Sequence, residues 1–193
     1  MVATPSTMLP LGTQVPEFSL PDVVTGKTVS SRELSEGKAA LVMFICNHCP
    51  FVKHVMDELG RLGEDYVPQG VRIVAINSND VETYPQDDAE NMRDLATTRR
   101  WRFPFLLDEE QDVAKSFRAA CTPDFFVFDG GGRLVYRGQL DESRPNNEVA
   151  VTGRDLRGAL DAVLAGRAVS SEQIPSLGCN IKWKHGKQPD YFG

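Results

Sequence analysis

No stretch of this 193-residue sequence approaches the ~18 consecutive apolar residues that a membrane-spanning helix requires. Basic residues are also short: 21 Lys and Arg stand against 27 Asp and Glu, a formal charge of -6 at pH 7. A chain so balanced lacks the basic face that nucleic acid or an anionic membrane would need as its main partner. The opening residues, MVATPSTMLPLG, have no basic segment followed by an apolar one. They therefore do not read as a signal peptide, and a cytoplasmic location is expected. Internal repeats and low-complexity tracts are absent as well. What remains is ordinary: 41% hydrophobic and 25% charged residues, enough for one domain with a core that needs no staple. Only the four cysteines ask for a special reason. In a reducing compartment a close cysteine pair is more often catalytic, redox-active or metal-binding than structural.

The apolar pattern divides the chain. Residues 1–12 are expected to be a flexible lead-in, residues 13–166 one domain, and residues 167–193 a tail packed on it. A small hairpin is expected around Asp22–Gly26, with its turn at Thr25-Gly26. Ala39–Ile45 is a continuous apolar run, the mark of a strand buried on both faces. Val52, Val55, Met56, Leu59 and Leu62 then keep helical spacing. Val71–Ile76 and Phe103–Leu107 are further apolar runs, with a helix expected over about 89–99 between them and a short one over 113–117 after them. Phe125–Phe128 and Leu134–Arg137 flank the Gly-rich turn Asp129–Gly132 and form an antiparallel hairpin. Thr152 with Asp155 suggests a capping box opening a last helix that Gly166 stops. Alternating strands and helices closed by a hairpin predict an α/β fold, a mixed central sheet flanked by helices.

Chemistry concentrates at Cys46-Asn47-His48-Cys49-Pro50, where the buried strand gives way to the amphipathic helix. A helix start offers unpaired N–H groups and the positive end of its dipole, and both stabilise a thiolate, the attacking form in disulfide exchange. Two intervening residues bring the second sulfur within reach of the first, and Pro50 fits a first turn whose N–H groups have no helical partner. The alternative is half of a zinc site. That would need a second Cys or His pair at short spacing, and Cys121 and Cys179 stand far apart. No metal ligand is therefore assigned. His48 between the cysteines is positioned to favour the Cys46 thiolate. His54 lies off the apolar stripe and is expected to be solvated; His185 carries no reading.

Cys-x-x-Cys-Pro after a buried strand, followed by Thr122-Pro123 before a late hairpin strand, resembles the thioredoxin superfamily. The segments INSND (76–80), CTPDFFVFD (121–129), YRGQLD (136–141) and GCNIKW (178–183) narrow this. They are similar to peroxiredoxin-like proteins grouped with alkyl hydroperoxide reductase and thiol-specific antioxidant, and the resemblance runs from about Val15 onward. It implies a thioredoxin-like fold with an N-terminal hairpin extension and a C-terminal tail. It also implies a thiol–disulfide oxidoreductase with Cys46 as nucleophile, Cys49 as resolving cysteine, and His48 matching the histidine found before the second cysteine of disulfide isomerases. Thr122 and Pro123, with Asn47, would bind substrate backbone, Pro123 matching a cis-proline. No cofactor beyond a redox-active Cys46–Cys49 disulfide is implied. The expected partners are a disulfide-containing protein or small-thiol substrate and an unidentified electron donor.

Two positions depart from these relatives. Met43 stands where peroxiredoxins carry a peroxide-binding Thr, and a thioether is a poor hydrogen-bonding substitute. Ala40 stands where thioredoxins carry a buried Asp, which leaves the proton acceptor for Cys49 open, with Asp124 as a candidate. Cys121, Asp124 and Asn79 are possible accessory residues, each against an ordinary structural role. The other functional readings are a thiol peroxidase with Cys46 peroxidatic, and a non-enzymatic metal-binding or copper-delivery module.

Overall fold

A strand with neighbours on both edges and helices on both faces has no side left for water, so it must be apolar throughout. AALVMF, every residue of it buried, is that strand at the centre of the sheet. The computed structural model describes residues 3–192. In chain order they form β1 (Ala3–Pro5), β2 (Ser19–Pro21), β3 (Thr28–Ser30), α1 (Ser31–Leu34), β4 (Ala39–Phe44), α2 (Pro50–Tyr66), β5 (Val71–Asn77), α3 (Ala89–Thr98), β6 (Phe105–Leu107), α4 (Asp112–Ser116), β7 (Cys121–Thr122), β8 (Asp124–Asp129), β9 (Leu134–Gly138), α5 (Arg154–Leu164) and β10 (Leu177–Asn180). The main sheet has the order β6-β5-β4-β8-β9. Its β4–β5 and β5–β6 pairs are parallel, and its β4–β8 and β8–β9 pairs antiparallel, so the expected mixed sheet is present.

The pleat sorts the core into two. Leu41, Met43, Phe125 and Val127 meet α2, α3 and α5 through Val52, Leu59, Met92, Leu156 and Leu160. Val42, Phe44, Phe126 and Phe128 face the other way, onto Phe117, Ile181 and Trp183. Four phenylalanines of that second layer, Phe44, Phe117, Phe126 and Phe128, pack edge to face.

Two expectations need correction. The lead-in is not loose where the structure describes it: β1 pairs antiparallel with β10, which pairs in turn with β7. Three-residue strands carry no readable periodicity, and this one is held by a partner more than 170 positions away. Residues 1 and 2 of that segment, and residue 193 of the tail, lie outside the described residues. The capping box is also not formed. The N-cap of α5 is Gly153, at φ 67, and both its N–H and that of Thr152 are donated to the Asp141 carboxylate at 2.6 Å. Asp141 accepts from Ser143 as well, and these donors hold its carboxyl below the usual range although burial opposes them. The hairpin falls at β2–β3, its turn closed by Gly26 N–H to Asp22 carbonyl at 2.8 Å.

Candidate active site

The central strand ends at Phe44, and Ile45 extends it by one bond to Ile76. The turn that follows leads into α2, which begins at Pro50 with Cys49 as N-cap. The helix start therefore belongs to Cys49, and Cys46 lies three residues ahead of it. Both sulfurs are buried, at 1% and 0% residue exposure. Thr122 bridges them: its Oγ1 is 3.4 Å from Cys46 Sγ, and its carbonyl accepts the Cys49 thiol at 3.2 Å.

This placement couples the two thiols. Cys49 is drawn well down, chiefly because the Cys46 thiol donates to it. Burial opposes the shift; the Cys179 side chain and the N–H groups of Val52 and Cys179 add to it. Cys46 is pushed up by the same hydrogen bond, then by burial and by the charge of Asp87, with Thr122 opposing. The first proton lost from the reduced pair therefore belongs to both sulfurs together, and its acidity is a property of the pair.

Sequence reasoning missed Asp87. It lies in a single 3-10 turn, Pro85–Asp87, and is wholly buried. Its carboxylate accepts the N–H of Asn47 at 2.8 Å, that of His48 at 3.2 Å, and Asn79 Nδ2 at 2.7 Å, and it lies 2.6 Å from His48 Nδ1. His48 is therefore aimed by Asp87, with its ring stacked on Tyr84 at 5.5 Å. Asn79 positions the carboxylate, and its own Oδ1 takes the N–H of Lys182. The short Pro-containing polar segment gives no local signal of this; it acquires a role only when β5 delivers it beside the cysteine turn.

Cys46, His48 and Asp87 have ligand atoms within 4.8 Å of one another and are, among the described residues, the set that could hold a metal ion. An ion there would compete with the amide donors that Asp87 already satisfies.

The Thr122–Pro123 peptide bond is cis. β10 closes on it so tightly that a Cβ on Gly178 would lie 2.0 Å from the Thr122 carbonyl oxygen. Beside Pro123 lies a small cavity of about 20 Å³, lined by Phe51, His54, Gln139, Arg144 and Leu177 among others. His54 is thus half-buried rather than solvated, and its Nε2 is buried without a partner. Asn47 is half-buried beside the pair with its Oδ1 unpaired. Cys121 is fully buried, donates to the Pro123 carbonyl at 3.6 Å, and is pushed well above the ordinary thiol range by burial. His185 is exposed on the tail.

Asp124 does not serve Cys49. Strand alternation puts it on the face of Phe126 and Phe128, whereas both redox cysteines belong to the opposite layer. Its neighbours are the hydroxyls of Ser6 and Ser176 and the amides of Ala120 and Phe125. None makes a hydrogen bond of normal geometry to the carboxyl.

The AhpC/TSA family pattern matches residues 11–137, about two thirds of the chain. The chain belongs to the AhpC/TSA family. Thiol-disulfide oxidoreductase ResA of Halalkalibacterium halodurans is 27% identical to this AhpC/TSA protein over 124 residues, 64% of the chain. The chain spans only 65% of that relative's length. An uncharacterized conserved protein from Geobacillus kaustophilus is 55% identical, with a TM-score of 0.94 over 96% of this chain and 98% of its own. A hypothetical protein from Sinorhizobium meliloti is 46% identical, with a TM-score of 0.92 over 95% and 100%. Solved thioredoxin domains of lower identity share the fold, so the architecture is thioredoxin-like. Among the described residues no helix is long and apolar enough to cross a membrane.

Proposed function

We propose that the protein is a thiol–disulfide oxidoreductase in which Cys46 attacks a substrate disulfide and Cys49 resolves the product. The observation that carries this reading is the contact of two buried sulfurs at the start of α2, closed over by Thr122. Both sulfurs are covered, and Cys46 is assigned to meet the substrate because it adjoins the partly exposed Asn47 and His48, while Cys49 contacts Cys179 on its other side. When the pair loses one proton, Cys49 keeps the other and Cys46 is the thiolate. Cys46 then displaces one substrate sulfur as a thiolate, forming the mixed disulfide. The departing thiolate takes the proton from Cys49, and Cys49 attacks Cys46 Sγ to release the second substrate thiolate. No cofactor takes part beyond the two sulfurs. Thr122, Pro123 and Asn47 are assigned as contacts for substrate backbone, because Thr122 touches Cys46, the Thr122–Pro123 bond is cis, and Asn47 follows Cys46 with its Oδ1 unpaired. Asn79 acts through Asp87 as a positioning residue. The electron donor is a dithiol able to reduce the Cys46–Cys49 bond. The proposal includes the cytoplasmic setting expected from the sequence, which cell fractionation tests.

The kinetic test is trapping. Cys49→Ser should hold substrates on Cys46 as stable mixed disulfides, and Cys46→Ser should hold none. Trapping by the Cys46→Ser protein would reverse the roles. Peroxide is the second arm of the assay. Met43 lies buried in β4, where it offers neither donor nor good acceptor. Hydrogen peroxide should therefore oxidise Cys46 no faster than an ordinary thiolate, and a much faster rate would favour the peroxidase reading.

A further inference from the structure

A third thiol stands against the pair. β10 enters the site with Cys179 in register opposite Thr122 and Gly178 packed on the Thr122–Pro123 peptide. The Cys179 side chain meets that of Cys49 in a hydrogen bond and receives the N–H of Phe51, from the first turn of α2. Cys46, Cys49 and Cys179 belong to one buried cluster, and Cys179 is 2% exposed. We infer that Cys179 is a second resolving thiol, which converts the Cys46–Cys49 disulfide into a Cys49–Cys179 disulfide and returns Cys46 to its free form. The inference rests on the oxidoreductase reading above and deepens it.

The step is an internal exchange. Cys179, as thiolate, attacks Cys49 Sγ; the Cys49–Cys179 bond forms as the Cys46–Cys49 bond breaks. The electron pair leaves on Cys46, which takes up the proton that Cys179 gave away. One disulfide and one thiol stand on each side, so no outside oxidant or reductant is required. Burial closes Cys179 to external thiols, and the contact with Cys49 gives it a partner inside the core.

The electrostatics give the exchange an order. In the reduced protein, burial and then the neighbouring Cys49 hold the Cys179 thiol up to about 12, with Lys182 and the Phe51 N–H opposing. Once Cys49 is bonded to Cys46 its share of the upward push is gone, and burial alone is left against Lys182 and the Phe51 N–H. Cys179 is thus held protonated more firmly while the pair is reduced than after oxidation, and its contact with Cys49 places it for the attack. The outcome is a protein that carries its oxidising equivalent away from the mouth and presents Cys46 again as a single thiol.

Disulfide mapping tests this. The full chain is oxidised with diamide, quenched in acid, denatured, labelled with N-ethylmaleimide, digested and analysed by mass spectrometry. The wild-type protein should yield Cys49–Cys179 peptides beside Cys46–Cys49 peptides, with label on Cys46 in the first population. Cys179→Ser should yield Cys46–Cys49 alone, with the Cys46 label lost. The wild-type map decides the matter even if the variant fails to fold. A wild-type map with Cys46–Cys49 and no Cys49–Cys179 overturns the exchange and leaves the oxidoreductase reading standing. A map in which neither Cys46 nor Cys49 enters any disulfide overturns both.

Discussion

Asp87 affects Cys46 in two opposed ways. Its hydrogen bonds to the amides of Asn47 and His48 fix the turn that carries the sulfur, while its charge disfavours the Cys46 thiolate. Asp87→Asn separates the two, because the amide keeps one oxygen for the N–H donors and loses the charge. In a Cys49→Ser background, where no shared proton complicates the titration, the midpoint for iodoacetamide labelling of Cys46 should move to lower pH. A midpoint that stays or rises would mean that Asp87 acts on Cys46 mainly by orienting His48. The lost acceptor should also lower unfolding stability by about 1–3 kcal/mol. At this scale the sequence displayed the cysteines and hid their surroundings. CNHCP is local, and its residue types announce their chemistry. Asp87 and Cys179 enter the site from 38 and 130 positions beyond Cys49, where neither the polar loop nor the tail has any local reason to be functional.

Between α2 and α5 the fold relies on one ionic clasp. Glu58 is buried at 3% exposure and accepts Arg157 Nε at 2.5 Å; Arg157 also reaches Asp65 at 2.8 Å and lies over the Tyr66 ring. Tyr66 in turn donates to Asp161 at 2.8 Å. Removing the guanidinium leaves the buried carboxylate with only Arg61 of its own helix, at 3.3 Å. Arg157→Ala should therefore cost about 1–3 kcal/mol in a urea titration. A loss well under 1 kcal/mol would show that Arg61 alone satisfies Glu58. The long elements here were legible from periodicity, since α2 presents Val52, Val55, Leu59 and Leu62 on one stripe and β4 is apolar throughout. β1, β7 and β10 were not legible. Strands of two to four residues have no pattern to read, and their pairing is decided by chain segments far apart. The false capping box at Thr152 failed because Asp141, eleven positions earlier and outside the helix pattern, accepts the donors.

For the molecule as a whole, the response to pH should carry the mark of Asp124. Burial lifts its carboxyl to about 7, while an unfolded chain releases the same proton near pH 4. Across that window the folded form binds more protons than the unfolded one, so this group makes stability fall as pH rises from about 4 to 7. The accumulated loss is on the order of 4 kcal/mol above pH 7. Asp124→Asn removes the titration, and its Tm should exceed that of the wild-type protein most at pH 8 and least at pH 5. Equal Tm differences at both values would show that Asp124 is not what titrates. The same wider view bears on biosynthesis. β10 is translated after Cys46, Cys49 and Pro123, and both β1 and β7 wait for it to pair. A nascent chain can therefore assemble β4 and α2 and display two reactive sulfurs before the strand that shelters them has left the ribosome. During that interval the pair is open to any passing disulfide, so chaperoned emergence, or a reducing surround, protects this protein most while it is being made.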